Sequence, residues 1–106
     1  MKVFRSDLIP IGVEENIAPV LEEDVSQNMP NPFTGKSYVN IKVREACNLS
    51  LNVTNMLGQV VYQTSERYFP SGPARLMIDG SELTPGIYFY TVNAGEASVT
   101  RKMIVE

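Results

Sequence analysis

Leu83-Thr84-Pro85-Gly86-Ile87-Tyr88-Phe89-Tyr90-Thr91-Val92-Asn93-Ala94-Gly95-Glu96-Ala97-Ser98-Val99-Thr100-Arg101-Lys102-Met103-Ile104-Val105-Glu106 reads as a corner, a strand, a tight turn and a final strand. Tyr88, Tyr90 and Val92 share one face, and Ile87, Phe89 and Thr91 share the other. That spacing of two is the period of a half-buried strand. The polar Thr91 makes the tyrosine face the predicted core side. Asn93-Ala94-Gly95-Glu96 suits a hairpin turn. Val99, Met103 and Val105 mark the returning strand, with Arg101 interrupting their face. Leu83-x-Pro85-Gly86-x-Tyr88 is spaced like the turn before a tyrosine corner. A last strand of this kind is expected to offer its end to whatever reads carboxyl termini.

The same alternation recurs upstream. Val39, Ile41 and Val43 alternate with Asn40, Lys42 and Arg44, and Cys47, Leu49, Leu51 and Val53 alternate with Asn48, Ser50, Asn52 and Thr54. Asn55-Met56-Leu57-Gly58-Gln59 interrupts the pattern as a hairpin turn, with Gly58 supplying a positive φ. Ser65–Gly72 reads as a polar loop, Ala74, Leu76 and Ile78 as another strand, and Asp79–Leu83 as one short helical turn. Pro30-Asn31-Pro32 forbids helix and biases its neighbours to extended conformation. No window of about 11 residues holds a helical period. The predicted fold is all-β: an immunoglobulin-like β-sandwich of about seven antiparallel strands.

Composition bounds the rest. A chain of 106 residues is expected to be one domain. Residues 1–24 carry a balance of −4 and residues 25–106 a balance of +1, which together give the net −3. The acidity therefore belongs to the leader, read as a linker with one short extended piece near Leu8–Val13, and residues 25–106 form the sandwich. No basic field is present to hold nucleic acid. The N-terminus has charge where a signal peptide needs an apolar core, and no run is long enough for a membrane helix.

With no histidine and one cysteine, neither a histidine-based triad nor a zinc site can be assembled. The acidic neighbours Glu14-Glu15 and Glu22-Glu23-Asp24 fall in the leader, where nothing is expected to hold them at catalytic separation. Cys47 shares parity with core residues and is read as a buried, inert thiol. Two sequons, Asn48-Leu49-Ser50 and Asn52-Val53-Thr54, place both asparagines on the solvent face. Catalysis is not expected, nor is any cofactor or metal.

Four motifs follow in order: Pro30-Asn31-Pro32-Phe33, then Asn55-x-x-Gly58-Gln59, then Leu83-x-Pro85-Gly86-x-Tyr88-x-Tyr90, then Arg101-Lys102-Met103-Ile104-Val105. In this order and spacing they resemble the C-terminal sorting domain of proteins exported by the type IX secretion system, over residues 25–106. The resemblance implies an export signal whose partners are the outer-membrane translocon, a sortase-like cysteine peptidase and a covalently attached passenger protein. It implies transit of the periplasm, delivery to the outer membrane surface or release, and cleavage in the leader; self-association is left open. It further implies that Gly86 allows a tight backbone approach and that Tyr88 has a buried ring with an anchored hydroxyl. Arg101–Glu106 become the candidate recognition residues, on the argument that the end of an edge strand is available for pairing. Pro30, Asn31, Pro32, Asn55, Gly58, Gln59, Leu83, Gly86 and Tyr88 are expected to serve the fold first. The departures are Arg101 for a more usual lysine and Glu106 for a more usual basic residue. The rival reading is a carbohydrate-binding or adhesion sandwich using Tyr38, Tyr62, Tyr68 and Phe69.

Overall fold

The computed structural model describes residues 18–106. The predicted extended piece near Leu8–Val13 lies outside the described residues. Among the described residues there are seven strands: β1 (Lys36–Val43), β2 (Cys47–Thr54), β3 (Val60–Gln63), β4 (Arg67–Phe69), β5 (Gly72–Asp79), β6 (Gly86–Ala94) and β7 (Ala97–Val105). β1 and β5 pair in one sheet, while β3, β2, β6 and β7 lie side by side in the other and β4 also pairs with β2. This is the strand order of an immunoglobulin-like sandwich, with β6 and β7 as its closing hairpin.

Alternation builds the core as expected. Val39, Ile41 and Val43 of β1 face Leu49, Leu51 and Val53 of β2 and Tyr88, Tyr90 and Val92 of β6, all buried, with Leu76, Ile78, Met103 and Val105 filling in. Fully burying each such side chain contributes roughly 1.5–3 kcal/mol before chain entropy is subtracted.

Residues ahead of β1 do the work of a first strand. Val25 bridges Ile41 and Met29 bridges Tyr38, both antiparallel, on the small sheet. The chain then crosses, and Phe33 bridges Val105 in parallel on the large sheet. Its ring is buried at 2% exposure. One segment thus closes the sandwich along that side.

Three expectations about chain segments change. The linker reading does not hold for residues 18–24: Val20 and Asp24 are buried, and Glu22–Asp24 form a 3-10 turn against the sandwich. Pairing with β1 drew them in, which local charge could not reveal. The Ser65–Gly72 loop contains β4, because Phe69, Tyr68 and Arg67 pair with Cys47, Asn48 and Leu49. Asp79–Leu83 is not helical. It is a turn held by Ser81 N–H on Asp79 Oδ1 at 3.1 Å and Leu83 N–H on the Gly80 carbonyl at 3.0 Å.

The tight glycine is Gly80. A Cβ there would lie 2.9 Å from Cε2 of Phe33, whereas one at Gly86 would meet nothing within 4 Å. The expected close approach at Gly86 is therefore corrected; what favours glycine there is its φ of 155°. Gly80→Ala should destabilise the domain by about 1–3 kcal/mol in chemical denaturation, and Phe33→Ala by about 3–5 kcal/mol. Unchanged midpoints would contradict this packing.

Candidate functional site

The last strand is not an open edge at its end. Ile104 N–H donates to Asn31 Oδ1 at 2.9 Å, and the Ile104 carbonyl accepts from Phe33 N–H at 3.1 Å. Glu106 N–H donates to the Phe33 carbonyl at 2.9 Å, and Gln27 Nε2 donates to the Lys102 carbonyl at 2.8 Å. The end of the last strand, expected to be free for pairing, is thus already occupied. Pro30-Asn31-Pro32-Phe33 already pairs there, with the Asn31 side chain standing in for a backbone carbonyl. Pro30 and Pro32 on either side carry no amide N–H of their own.

The terminal residues divide by parity. Met103 and Val105 are core, at 0% and 3% exposure. Lys102, Ile104 and Glu106 point outward. On the outer face Ile104 stands opposite Ile87 and Lys102 opposite Phe89. Met56 and Leu57 of the β2–β3 turn are also exposed, at the same end of the large sheet. Arg101 has core parity but escapes it sideways. Its Nε donates to the Val25 carbonyl and its Nη2 to the Glu22 carbonyl, both at 2.9 Å.

A second clamp fixes the same segment. Arg44 grips Asp24 through Nε to Oδ2 at 2.6 Å and Nη2 to Oδ1 at 3.0 Å, while Leu21 N–H also donates to Oδ2 at 2.9 Å. The Arg44 hydrogen bonds, seconded by that of Leu21, hold the Asp24 pKa below the usual 3.8. Asp24 is thus held after all, but as a neutralised anchor rather than a free carboxylate. Beneath Pro30, buried Asn28 donates through Nδ2 to Ser37 Oγ at 2.9 Å, and Ser37 Oγ donates to the Pro30 carbonyl at 2.8 Å. Sequence reasoning missed Gln27, Asn28, Ser37, Asp24 and Arg44. Only Ser37 left a signal, as a polar residue in step with Val39, Ile41 and Val43.

The corner and the hairpin turn serve the fold. The Tyr88 hydroxyl donates to the Thr84 carbonyl at 2.7 Å and lies 3.1 Å from Thr84 Oγ1, a tyrosine corner at the start of β6. Leu83 packs partly buried beside it. Asn55 Oδ1 accepts from the amides of Leu57 and Gln59 at 2.9 and 3.1 Å, Asn55 Nδ2 donates to Gln59 Oε1, and Gly58 takes φ 84°. Cys47 is half-buried rather than fully buried because it begins its strand; burial, then the Glu45 charge, push its thiol pKa up and suppress the thiolate. The aromatic residues of the rival reading diverge. Tyr38 lies on the outer face of the small sheet beneath Arg75, Tyr68 on the outer face of the large sheet, and Tyr62 and Phe69 turn inward.

A sandwich that ends on a clamped strand, with Met103 and Val105 of the terminal motif in the core and Lys102, Ile104 and Glu106 on the surface, is suited to presenting that motif as a rigid surface. The chain matches the secretion system C-terminal sorting domain over residues 29–106 and belongs to that family. No curated protein matches the chain. It is a C-terminal sorting signal of type IX secretion, interacts with that machinery, and marks its protein for the cell surface or for release.

Tyr88→Phe should lower stability by about 1 kcal/mol, read by denaturation, because the Thr84 carbonyl loses its partner. Asp24 carries a depressed pKa when folded, so its stabilisation is complete above the unfolded value and is lost as pH falls through 3.8 and below. Asp24→Asn should flatten that part of the acid-denaturation profile; an unaltered profile would refute the assignment.

Proposed function

We propose that this domain is a non-enzymatic address that delivers a covalently attached passenger to the outer-membrane translocon. The folded sandwich docks through Lys102, Ile104 and Glu106, while Met103 and Val105 anchor the motif and Arg101 ties it to the N-terminal segment. A sortase-like cysteine peptidase then cuts the leader after transit through the periplasm. The observation that supports this reading is the family match over residues 29–106, which takes in the whole terminal motif. The adjoining apolar pair of Ile87 and Ile104 adds a surface on which a partner protein gains from excluding water.

Removing Arg101–Glu106 would delete core residues along with surface ones, and so would mix misfolding with lost recognition. Surface variants separate the two. In a full-length precursor, Lys102→Glu combined with Ile104→Asp should leave the passenger in the periplasm, while the isolated variant domain keeps a thermal midpoint close to the parent's. Surface delivery at parental levels by that double variant would reject the docking role.

A further inference from the structure

Residues 18–28 precede the matched family region, yet their backbone is bound into the sandwich. The Pro19 carbonyl accepts from Arg44 N–H at 2.8 Å, and Ser26 N–H donates to the Asn40 carbonyl at 2.9 Å. The Ser26 carbonyl accepts from the Tyr90 hydroxyl at 2.7 Å. Between these points the Glu22 and Val25 carbonyls are held by Arg101, and Asp24 by Arg44. Further along, the Phe33 amide and carbonyl are both spent on the last strand.

An endopeptidase acts on several consecutive residues drawn into its cleft in extended form, so a segment whose carbonyls are bonded elsewhere must first detach. Cleavage then follows the population of the detached form. Arg101 belongs to the terminal motif, and its guanidinium reaches the segment only while β7 is docked between β6 and Phe33.

We propose that Arg101 is a latch that closes the peptide bonds from Pro19 through Phe33 to proteolytic processing while the last strand is in place. Processing near the amino-terminal end of the folded domain therefore falls on the N-terminal side of Pro19, and a domain whose last strand has not docked exposes different bonds there. This rests on the processing step proposed above. It adds that the carboxyl-terminal motif determines which bonds near the amino-terminal end can be cut.

A glutamate-specific endopeptidase tests the latch on the chain itself, without any secretion machinery. Glu22 and Glu23 have exposed side chains in the held segment, and Glu45, Glu66 and Glu96 are exposed elsewhere in the sandwich. The bonds after Glu22 and Glu23 should be cut on the order of 100-fold more slowly in the chain than in a free peptide of residues 18–28. Arg101→Ala should raise cutting at those two bonds roughly tenfold or more, with the bonds after Glu45, Glu66 and Glu96 unchanged. Equal rates in chain and peptide would overturn the protection. Unchanged cutting in Arg101→Ala, or equal acceleration at all the glutamates, would overturn the latch.

In a full-length precursor, mass spectrometry of the released passenger should find its last residue no later than Ala18. An end between Pro19 and Phe33 overturns the inference. An uncut passenger overturns the processing step instead, while the peptidase comparison on the isolated chain still decides whether the segment is protected.

Discussion

The structure depends on the pairing of Phe33 with the last strand. The amide and carbonyl of Phe33 take the backbone of Ile104 and Glu106, and its ring enters the core against Gly80. One residue therefore joins the segment from the small sheet, the carboxyl-terminal strand of the large sheet and the turn after β5. A sandwich of this size hides only about two-thirds of its chain's surface, so a terminal strand held on its β6 side alone would fray at its end and loosen Met103 and Val105 from the core. Asn31 extends the pairing by one hydrogen bond. The Pro30-Asn31-Pro32-Phe33 motif and the terminal motif, far apart in the chain, are two halves of one contact.

Charge reinforces this geometry. Asp24 is buried and could not remain ionised there without compensation, which Arg44 supplies through two hydrogen bonds. Arg101 sits at a core parity, yet its long side chain carries the guanidinium out to the Glu22 and Val25 carbonyls. Two arginines, Arg44 just after β1 and Arg101 within β7, thus hold the segment that precedes the family match. The terminal motif is divided accordingly. Met103 and Val105 build the core, Arg101 ties the N-terminal segment, and Lys102, Ile104 and Glu106 are left on the surface.

Much of the fold was legible because its cause is local. Period-two alternation in Val39–Val43, Leu49–Val53 and Tyr88–Val92 arises from the pleat of a single strand and needs no knowledge of neighbours. The Asn55–Gln59 turn was legible because Asn55 and Gly58 satisfy their own short stretch of backbone. Tyr88 was legible because its hydroxyl partner, Thr84, lies only four residues upstream. Less legible were β4, whose Arg67–Phe69 has no alternation long enough to count, and Gly80, whose reason to be glycine is a ring 47 residues away in sequence.

The sequence by itself determined an all-β sandwich, the positions of most strands, the corner and the turn, and a motif order that names the family. Those follow from side-chain period and from hydrogen bonds between near neighbours. Only the tertiary structure decided that 18–24 belong to the sandwich, that the end of the last strand is already paired, and that Arg101 faces a neighbour's carbonyls rather than solvent. Each of these depends on a backbone group meeting a residue tens of positions away. An amide or carbonyl is the same in every residue but proline, so the sequence carries no mark of which ones will meet.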